Sequence, residues 1–315
     1  EDLYPSCKMI CGDINDQNIF NQIINESQGV EFIIASPPCQ GMSVAGKNRS
    51  QDTMIGDERN YLINRVFDAI GLLKPQYVLI ENVPALLKIQ LPYKGSLYSV
   101  VEILKIKFGD EYNIEARVVD ASDYGVPQTR LRAIVKMYPK AATWKWPDVV
   151  KKKVTVRDVI GNLPSIEAGE KSDIKWHFAR EHAERHIVWM QHTATGTSAF
   201  SNPVYYPQKE DGTRIKGYES SYRRIKWDEP APTITIRNDA ISSQRNVHPG
   251  RLLDDGTYSD ARVLTPYELM LLTSLPADWN IPDNTSEILI RQVIGESIPP
   301  LMIKKIVGEI PCLKK

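Results

Sequence analysis

Glu31-Phe32-Ile33-Ile34-Ala35-Ser36-Pro37-Pro38-Cys39-Gln40-Gly41-Met42-Ser43 opens as an apolar run and stops at two prolines and a cysteine. A short β-branched run bounded by such breakers predicts a buried strand that ends in a loop. A cysteine there stands at a cleft rather than in a core, where a thiol has the partly exposed, polar setting that reactivity needs. Upstream, Lys8-Met9-Ile10-Cys11-Gly12-Asp13-Ile14 predicts another buried strand, with Ile19, Phe20, Ile23 and Ile24 at helical spacing between the two. Downstream, Leu62, Val66, Ala69, Ile70 and Leu73 mark a helix over 58–73 that leads through Lys74-Pro75 into a strand at Tyr77–Ile80. A helix near Leu97–Phe108 and strands at 114–119 and 131–137 follow. Strands alternating with helices predict an α/β domain with a Rossmann-like, mostly parallel sheet. In such sheets the reacting groups gather beyond the carboxyl ends of the strands. Here those ends carry Asp13, Pro37-Pro38-Cys39 and Glu81-Asn82.

The periodicity fades after Tyr138. Trp144, Trp146, Lys151-Lys152-Lys153 and all five histidines crowd into a stretch with few clear elements, which predicts a smaller, irregular second domain over 138–263, with its tryptophans as its core. The flanking segments, 1–137 and 264–315, then form the two parts of the first domain. Thr265-Pro266-Tyr267-Glu268 reads as a capping box opening a helix, and a last helix is predicted at Pro300–Ile310, packed back on the first domain.

Composition narrows the function. The chain has 315 residues, 42% hydrophobic, with a formal net charge of zero. Zero net charge hides an asymmetry: residues 136–251 hold 20 Lys and Arg against 13 Asp and Glu. A basic middle segment is the footprint expected where phosphates are contacted, with Lys151–Lys153 among the candidates. No apolar run is long enough for a membrane span. Four cysteines in a chain this long point to a reducing, cytoplasmic setting rather than a disulfide scaffold.

Glu81, at a second strand end, gives the thiol of Cys39 a carboxyl partner. That pair suits nucleophilic attack on an electron-poor ring whose nitrogen an acid protonates or hydrogen-bonds. In Gln128-Thr129-Arg130-Leu131-Arg132, alternate residues face one side, so Gln128, Arg130 and Arg132 point together toward an anionic or carbonyl-bearing ligand or a buried carboxylate. The glycine-marked stretch 41–60, with Lys47 and Arg49, reads as a closing lid.

Pro-Pro-Cys-Gln at 37–40, Glu-Asn-Val at 81–83, Gln-x-Arg-x-Arg at 128–132, a variable basic region and Gly-x-Ser-x-x-Pro at 295–300 stand in an order that resembles the cytosine-C5 DNA methyltransferases, the prokaryotic restriction–modification type above all. The resemblance implies transfer of a methyl group from S-adenosylmethionine to a cytosine flipped out of double-stranded DNA. Cys39 would add to C6, Glu81 act at N3 and Arg132 at O2, with Arg130 and Gln128 in support. Asp13, Ile14, Pro37, Glu296 and Ser297 would border the cofactor. Gln40, Ser43, Lys47, Arg49, Arg223, Arg224 and Arg237 would meet DNA, the last three from a target recognition domain, in a protein working at the nucleoid. Two departures stand out. The family's opening Phe-x-Gly-x-Gly strand–turn–helix has no counterpart in this sequence, which implies a further segment or a companion chain for that part of the cofactor site. Gly295-Glu296-Ser297 also carries Glu where the family has Asn.

Other readings remain. An RNA cytosine methyltransferase would use the same thiol and carboxyl, but the long basic region suits a major groove better. A thymidylate-synthase-like enzyme would not need Gln-x-Arg-x-Arg. A non-catalytic DNA-binding subunit of a split methyltransferase would not need Cys39 and Glu81. Cys7-x3-Cys11 lacks a second ligand pair for zinc, and His182 and His186 lack the zinc-hydrolase order, so no metal is expected.

Overall fold

The computed structural model describes residues 6–38 and 61–311. The chain forms two compact units, one of Glu1–Asp120, Leu131–Trp146 and Gly308–Lys315, the other of Ala121–Arg130 and Pro147–Val307. This division differs from one drawn at 137 and 263, because 264–307 belongs with the second unit.

The first unit is built on a four-stranded sheet ordered β1-β2-β6-β5, from Phe32–Ala35 (β1), Tyr77–Asn82 (β2), Leu131–Pro139 (β6) and Tyr112–Asp120 (β5). Helix α1 (Gln17–Glu26) starts where Asp16 accepts from the Asn18 amide. Helix α2 (Ile63–Leu73) buries Ile63, Phe67 and Ile70 against Val78, Ile80, Val135 and Met137 of the sheet. A two-stranded hairpin, β3 (Gln90–Tyr93) and β4 (Ser96–Ser99), turns at Lys94-Gly95, both at positive φ as a two-residue hairpin turn requires. Ser99 and Glu102 then cap α3 (Val100–Phe108) reciprocally. The Rossmann-like α/β reading holds, but the sheet is mixed: β1 and β2 run parallel, while β2–β6 and β5–β6 are antiparallel. Only ten residues, 121–130, join β5 to β6, too short for the crossover that a parallel pair needs.

Two expectations fail in this unit. Lys8–Ile14 forms no strand, and Met9 is 67% exposed. A strand needs a neighbour to bond to, and among the described residues none pairs with the outer edge of β1. Trp144 is not core of the second unit. It is buried in the first, edge-on to Phe32, Tyr77 and Tyr138, and shelters the buried Lys136 ammonium, whose pKa burial pushes down to about 8 against the pull of Glu115.

The second unit has short helices, α4 (Val156–Ile160), α5 (Glu184–Gln191), α6 (Pro266–Leu272), α7 (Glu287–Glu296) and α8 (Pro300–Val307), joined by long irregular segments. Irregular backbone leaves carbonyls without ladder partners, and a buried carbonyl must find a donor. Buried arginines supply them. Arg224 donates to the carbonyls of Met190, His248 and Asp260, and Arg291 to those of Leu264 and Asn238. Arg262 spans Glu268 with two bonds of 2.9 and 3.0 Å and reaches Asp260 at 2.9 Å. Glu268 accepts from the Thr265 amide at the same time, so the capping box of α6 is fused to this ion cluster.

Burial keeps His248 neutral here, its pKa lowered to about 3 with Arg262 adding to the effect, and lowers that of half-buried His182 to about 4 with Arg180 adding. Nδ1 of His248 accepts from the Gly250 amide, which a doubly protonated ring cannot do. An unfolded histidine titrates near 6.5, so below that pH the unfolded chain takes up protons that the folded chain refuses. This stability is therefore complete above pH ~6.5 and drains away as pH falls toward 3–4. Glu268 extends the loss: burial opposes its charge, yet Arg262 holds its pKa well below the usual range, so its share goes below pH ~4.5. Urea unfolding should lose about 2 kcal/mol from His248 alone, and less from His182, between pH 7 and pH 5. A flat midpoint over that interval would contradict the assignment.

Candidate active site

Because β1 and β2 are parallel and pair Ala35 with Ile80, their carboxyl ends finish side by side. Antiparallel β6 brings its first residues to the same edge, pairing Ile134 with Glu81 and Ala133 with Asn82. Alternation then puts Ser36, Glu81 and Arg132 on one face of the sheet. Their side chains meet. The Ser36 hydroxyl donates to Glu81 Oε2 at 2.9 Å, and Arg132 Nε lies 2.7 Å from Glu81 Oε1. Glu81 is 4% exposed, so its charge is answered from both sides rather than by water. Arg132 also donates from Nη1 to the Leu131 carbonyl. Among the described residues nothing engages its Nη2, which is left for a further acceptor.

Asn82 adds a backbone clamp. Its Nδ2 donates to the Pro37 carbonyl at 2.8 Å, and its Oδ1 accepts from the Val83 amide at 2.8 Å. The clamp fixes the chain two residues before Cys39. Cys39 itself, with Gln40, Ser43, Lys47 and Arg49, lies outside the described residues. Such an edge can offer a carboxyl and a guanidinium to one small ring.

Gln128 and Arg130, in the second unit, do different work from Arg132. Gln128 is fully buried, donates to the Leu272 carbonyl and Thr273 hydroxyl, and accepts from the Ile234 amide. Arg130 donates to the Ile234 carbonyl at 2.7 Å and the Gly295 carbonyl at 2.9 Å. Both bind the chain's own backbone rather than facing a ligand. With the Thr129 amide on the Ala231 carbonyl, they hold the 231–234 segment in place. Gly295 is needed where it stands, since a Cβ there would come 2.5 Å from the Thr235 carbonyl oxygen.

The remaining expected residues are dispersed. Asp13 is exposed on a turn, Oδ1 accepting from the Asn15 amide, with half-buried Ile14 beside it. In the second unit Glu296 is exposed at the end of α7, accepting from Gln292, and the Ser297 hydroxyl donates to the Ile294 carbonyl. Arg237 is largely exposed near Asp239. Arg224 is not available to DNA: it is fully buried as a donor to backbone carbonyls. Lys153 is tied to Ser122 and Asp123. Ser36 and Asn82 stand in the motifs that the sequence offers, but sequence reasoning gives neither of them a role. Ser36 could have been found, because it continues the Phe32–Ile34 alternation onto the face of Glu81.

Known proteins resemble this chain in sequence and fold. The sequence profile of the C-5 cytosine-specific DNA methylases matches residues 3–312. The chain is 59% identical over 310 residues to the Type II methyltransferase M1.HgaI of Avibacterium volantium, covering 98% of this chain and 87% of that one. It is 28% identical to the Type II methyltransferase M1.HphI of Haemophilus parahaemolyticus, covering 93% and 71%. The structure of the Entamoeba histolytica methyltransferase EhMeth has the same fold, with a TM-score of 0.61 at 16% identity over 94% of this chain and 81% of that one.

Proposed function

The chain belongs to the C-5 cytosine-specific DNA methylase family and transfers a methyl group from S-adenosylmethionine to C5 of cytosine in DNA; from that premise we propose how its residues divide the work. The carrying observation is the buried Glu81, held between the Ser36 hydroxyl and Arg132 beside the strand that leads into Cys39. The Cys39 thiolate forms a bond to C6 of a flipped cytosine, and the electron pair of the C5–C6 double bond shifts into the ring. Glu81, having taken up a proton, hands it to N3, where negative charge develops, and Arg132 turns its remaining donors on O2. Such preorganised charge acts where charge develops and costs no rearrangement in the reaction. S-adenosylmethionine, when bound, supplies the electrophilic methyl that the enriched C5 accepts. Loss of the C5 proton then expels the thiolate and restores the ring.

Asp13 is the residue we assign to the adenine amine, and Pro37, Ile14, Glu296 and Ser297 to the rest of the cofactor. A glycine-rich segment beyond residues 1–315, on this chain or a companion, completes the site in this reading. The half-exposed Ile34 on the edge strand β1 supports it. The setting we infer is the cytoplasm, beside the chromosome.

The test is a duplex carrying 5-fluorocytosine at the target, mixed with the protein and S-adenosylmethionine. Fluorine cannot leave as a proton does, so the enzyme is expected to stay bonded to the base as a denaturation-resistant adduct. Absence of an adduct, even with the glycine-rich segment of a relative supplied in trans, would overturn the reading in favour of an RNA substrate or a binding subunit.

A further inference from the structure

Two non-glycine residues with left-handed backbone, Tyr222 (φ 46°) and Arg245 (φ 48°), follow the paired residues Ser221 and Gln244 in the second unit, and Arg245 lines a groove there. Such residues cost stability and persist only where their surroundings force them. Here the Tyr222 amide is held by the Ile241 carbonyl and the Arg245 amide by the Ser220 carbonyl, while the buried Asn246 side chain donates to the Ala240 carbonyl. The groove, about 250 Å³, is lined by the cations Arg223, Lys226 and Arg245, and one carboxylate, Glu229, with Gly196 beside them. Gly196 has φ 74°, and a Cβ there would press on Lys226 Cγ at 2.8 Å.

The three cations are not equally committed to the fold. Arg223 is half-buried and donates to the Gly196 and Glu219 carbonyls. Lys226 is exposed and paired with Glu229, an arrangement worth little in water and readily exchanged. Arg245 is exposed, and among the described residues no carboxylate or carbonyl takes its guanidinium. A strained backbone therefore holds aloft a cation that the fold does not use.

We propose that this groove binds a phosphodiester of the duplex DNA substrate, Arg245 and Lys226 taking its oxygens and Arg223 the wall behind them. The inference rests on the DNA-methylating reading and names where, outside the catalytic edge, the backbone is gripped. The contact carries no sequence information; it fixes register. Releasing condensed counterions is what such a contact contributes, so its signature is the salt dependence of binding.

The experiment measures duplex binding by the full chain across a salt series, with methylation of the wild type assayed in parallel. Arg245→Gln and Lys226→Gln are each expected to weaken binding about tenfold, equally for target and non-target duplexes, and to flatten the slope of log K against log salt by about 1. Lys305→Gln, an exposed lysine on α8 (Pro300–Val307) with no assigned role, is the control and should leave the slope alone. Arg245→Gly separates function from folding: it frees the left-handed backbone, so Tm should not fall while the slope still flattens. Wild-type slopes in Arg245→Gln and Lys226→Gln would overturn the proposal, as would weakening confined to the target duplex or tighter binding of an RNA hairpin. If the wild type neither binds duplex nor methylates it, the functional reading has failed instead.

Discussion

Replacing Cys39 by alanine should abolish methyl transfer while leaving duplex binding within a few-fold of wild type. Without a nucleophile at C6, the C5 carbon of cytosine stays a poor nucleophile, and the remaining polar contacts have no developing charge to stabilise. Loss of a nucleophile in other covalent enzymes costs on the order of 10⁴–10⁶ in kcat, with the remainder due to binding and electrostatics. The fluorinated-duplex adduct should vanish with the activity. Glu81→Gln should act on the same step more gently, lowering kcat by about 10²–10⁴, the range of a positioned acid or base. Glutamine can keep one hydrogen bond to Ser36, but it cannot answer the charge of Arg132, which lies 2.7 Å from the carboxylate. A rapid-quench measurement would distinguish slow adduct formation from slow release. Turnover by Cys39→Ala above a hundredth of wild type would sink the covalent mechanism.

The second large effect concerns folding. Glu268→Ala should destabilise the protein by about 3–5 kcal/mol, the cost of removing one partner from a buried ion pair. Arg262 would keep Asp260 but lose two bonds to Glu268, and the Thr265 amide would lose its acceptor at the start of α6 (Pro266–Leu272). Glu268→Gln retains volume and an acceptor for the cap, so it should lose less. Denaturant titration of the two variants at pH 7 checks this, and a loss under 1 kcal/mol for the alanine variant would show that the cluster relaxes around the gap.

What was legible in the sequence is what depends on local pattern. The strand into Pro37-Pro38, the strand into Glu81-Asn82, the helix of Ile19, Phe20 and Ile23, and the Thr265–Glu268 cap all follow from spacing and breaker residues, and each is found. Strand direction was not legible, because periodicity identifies a strand without saying which way its neighbour runs. Lys8–Ile14 shows a related limit: its composition suits a strand, but pairing is a property of the partner. The arginines misled most. Sequence favours exposure for Arg224, yet it is buried, because an irregular region must find donors for its own carbonyls. In Gln128-Thr129-Arg130-Leu131-Arg132 the alternation was readable, but not that Gln128 and Arg130 hold the chain's own backbone while Arg132 meets Glu81.

Those buried arginines bear on how this protein can change over generations. Arg224 bonds to main-chain oxygens, as Arg291 does at Asn238 and Leu264 beside its side-chain partners, and an oxygen of the main chain is the same whichever side chain hangs beside it. A region fastened in this way asks little of its outward residues. Substitutions along the outer faces of the loops can accumulate without breaking a ladder or shifting a register. On the proposed reading, in which this unit meets DNA, its outward residues are thereby free to change while the fold beneath them stays.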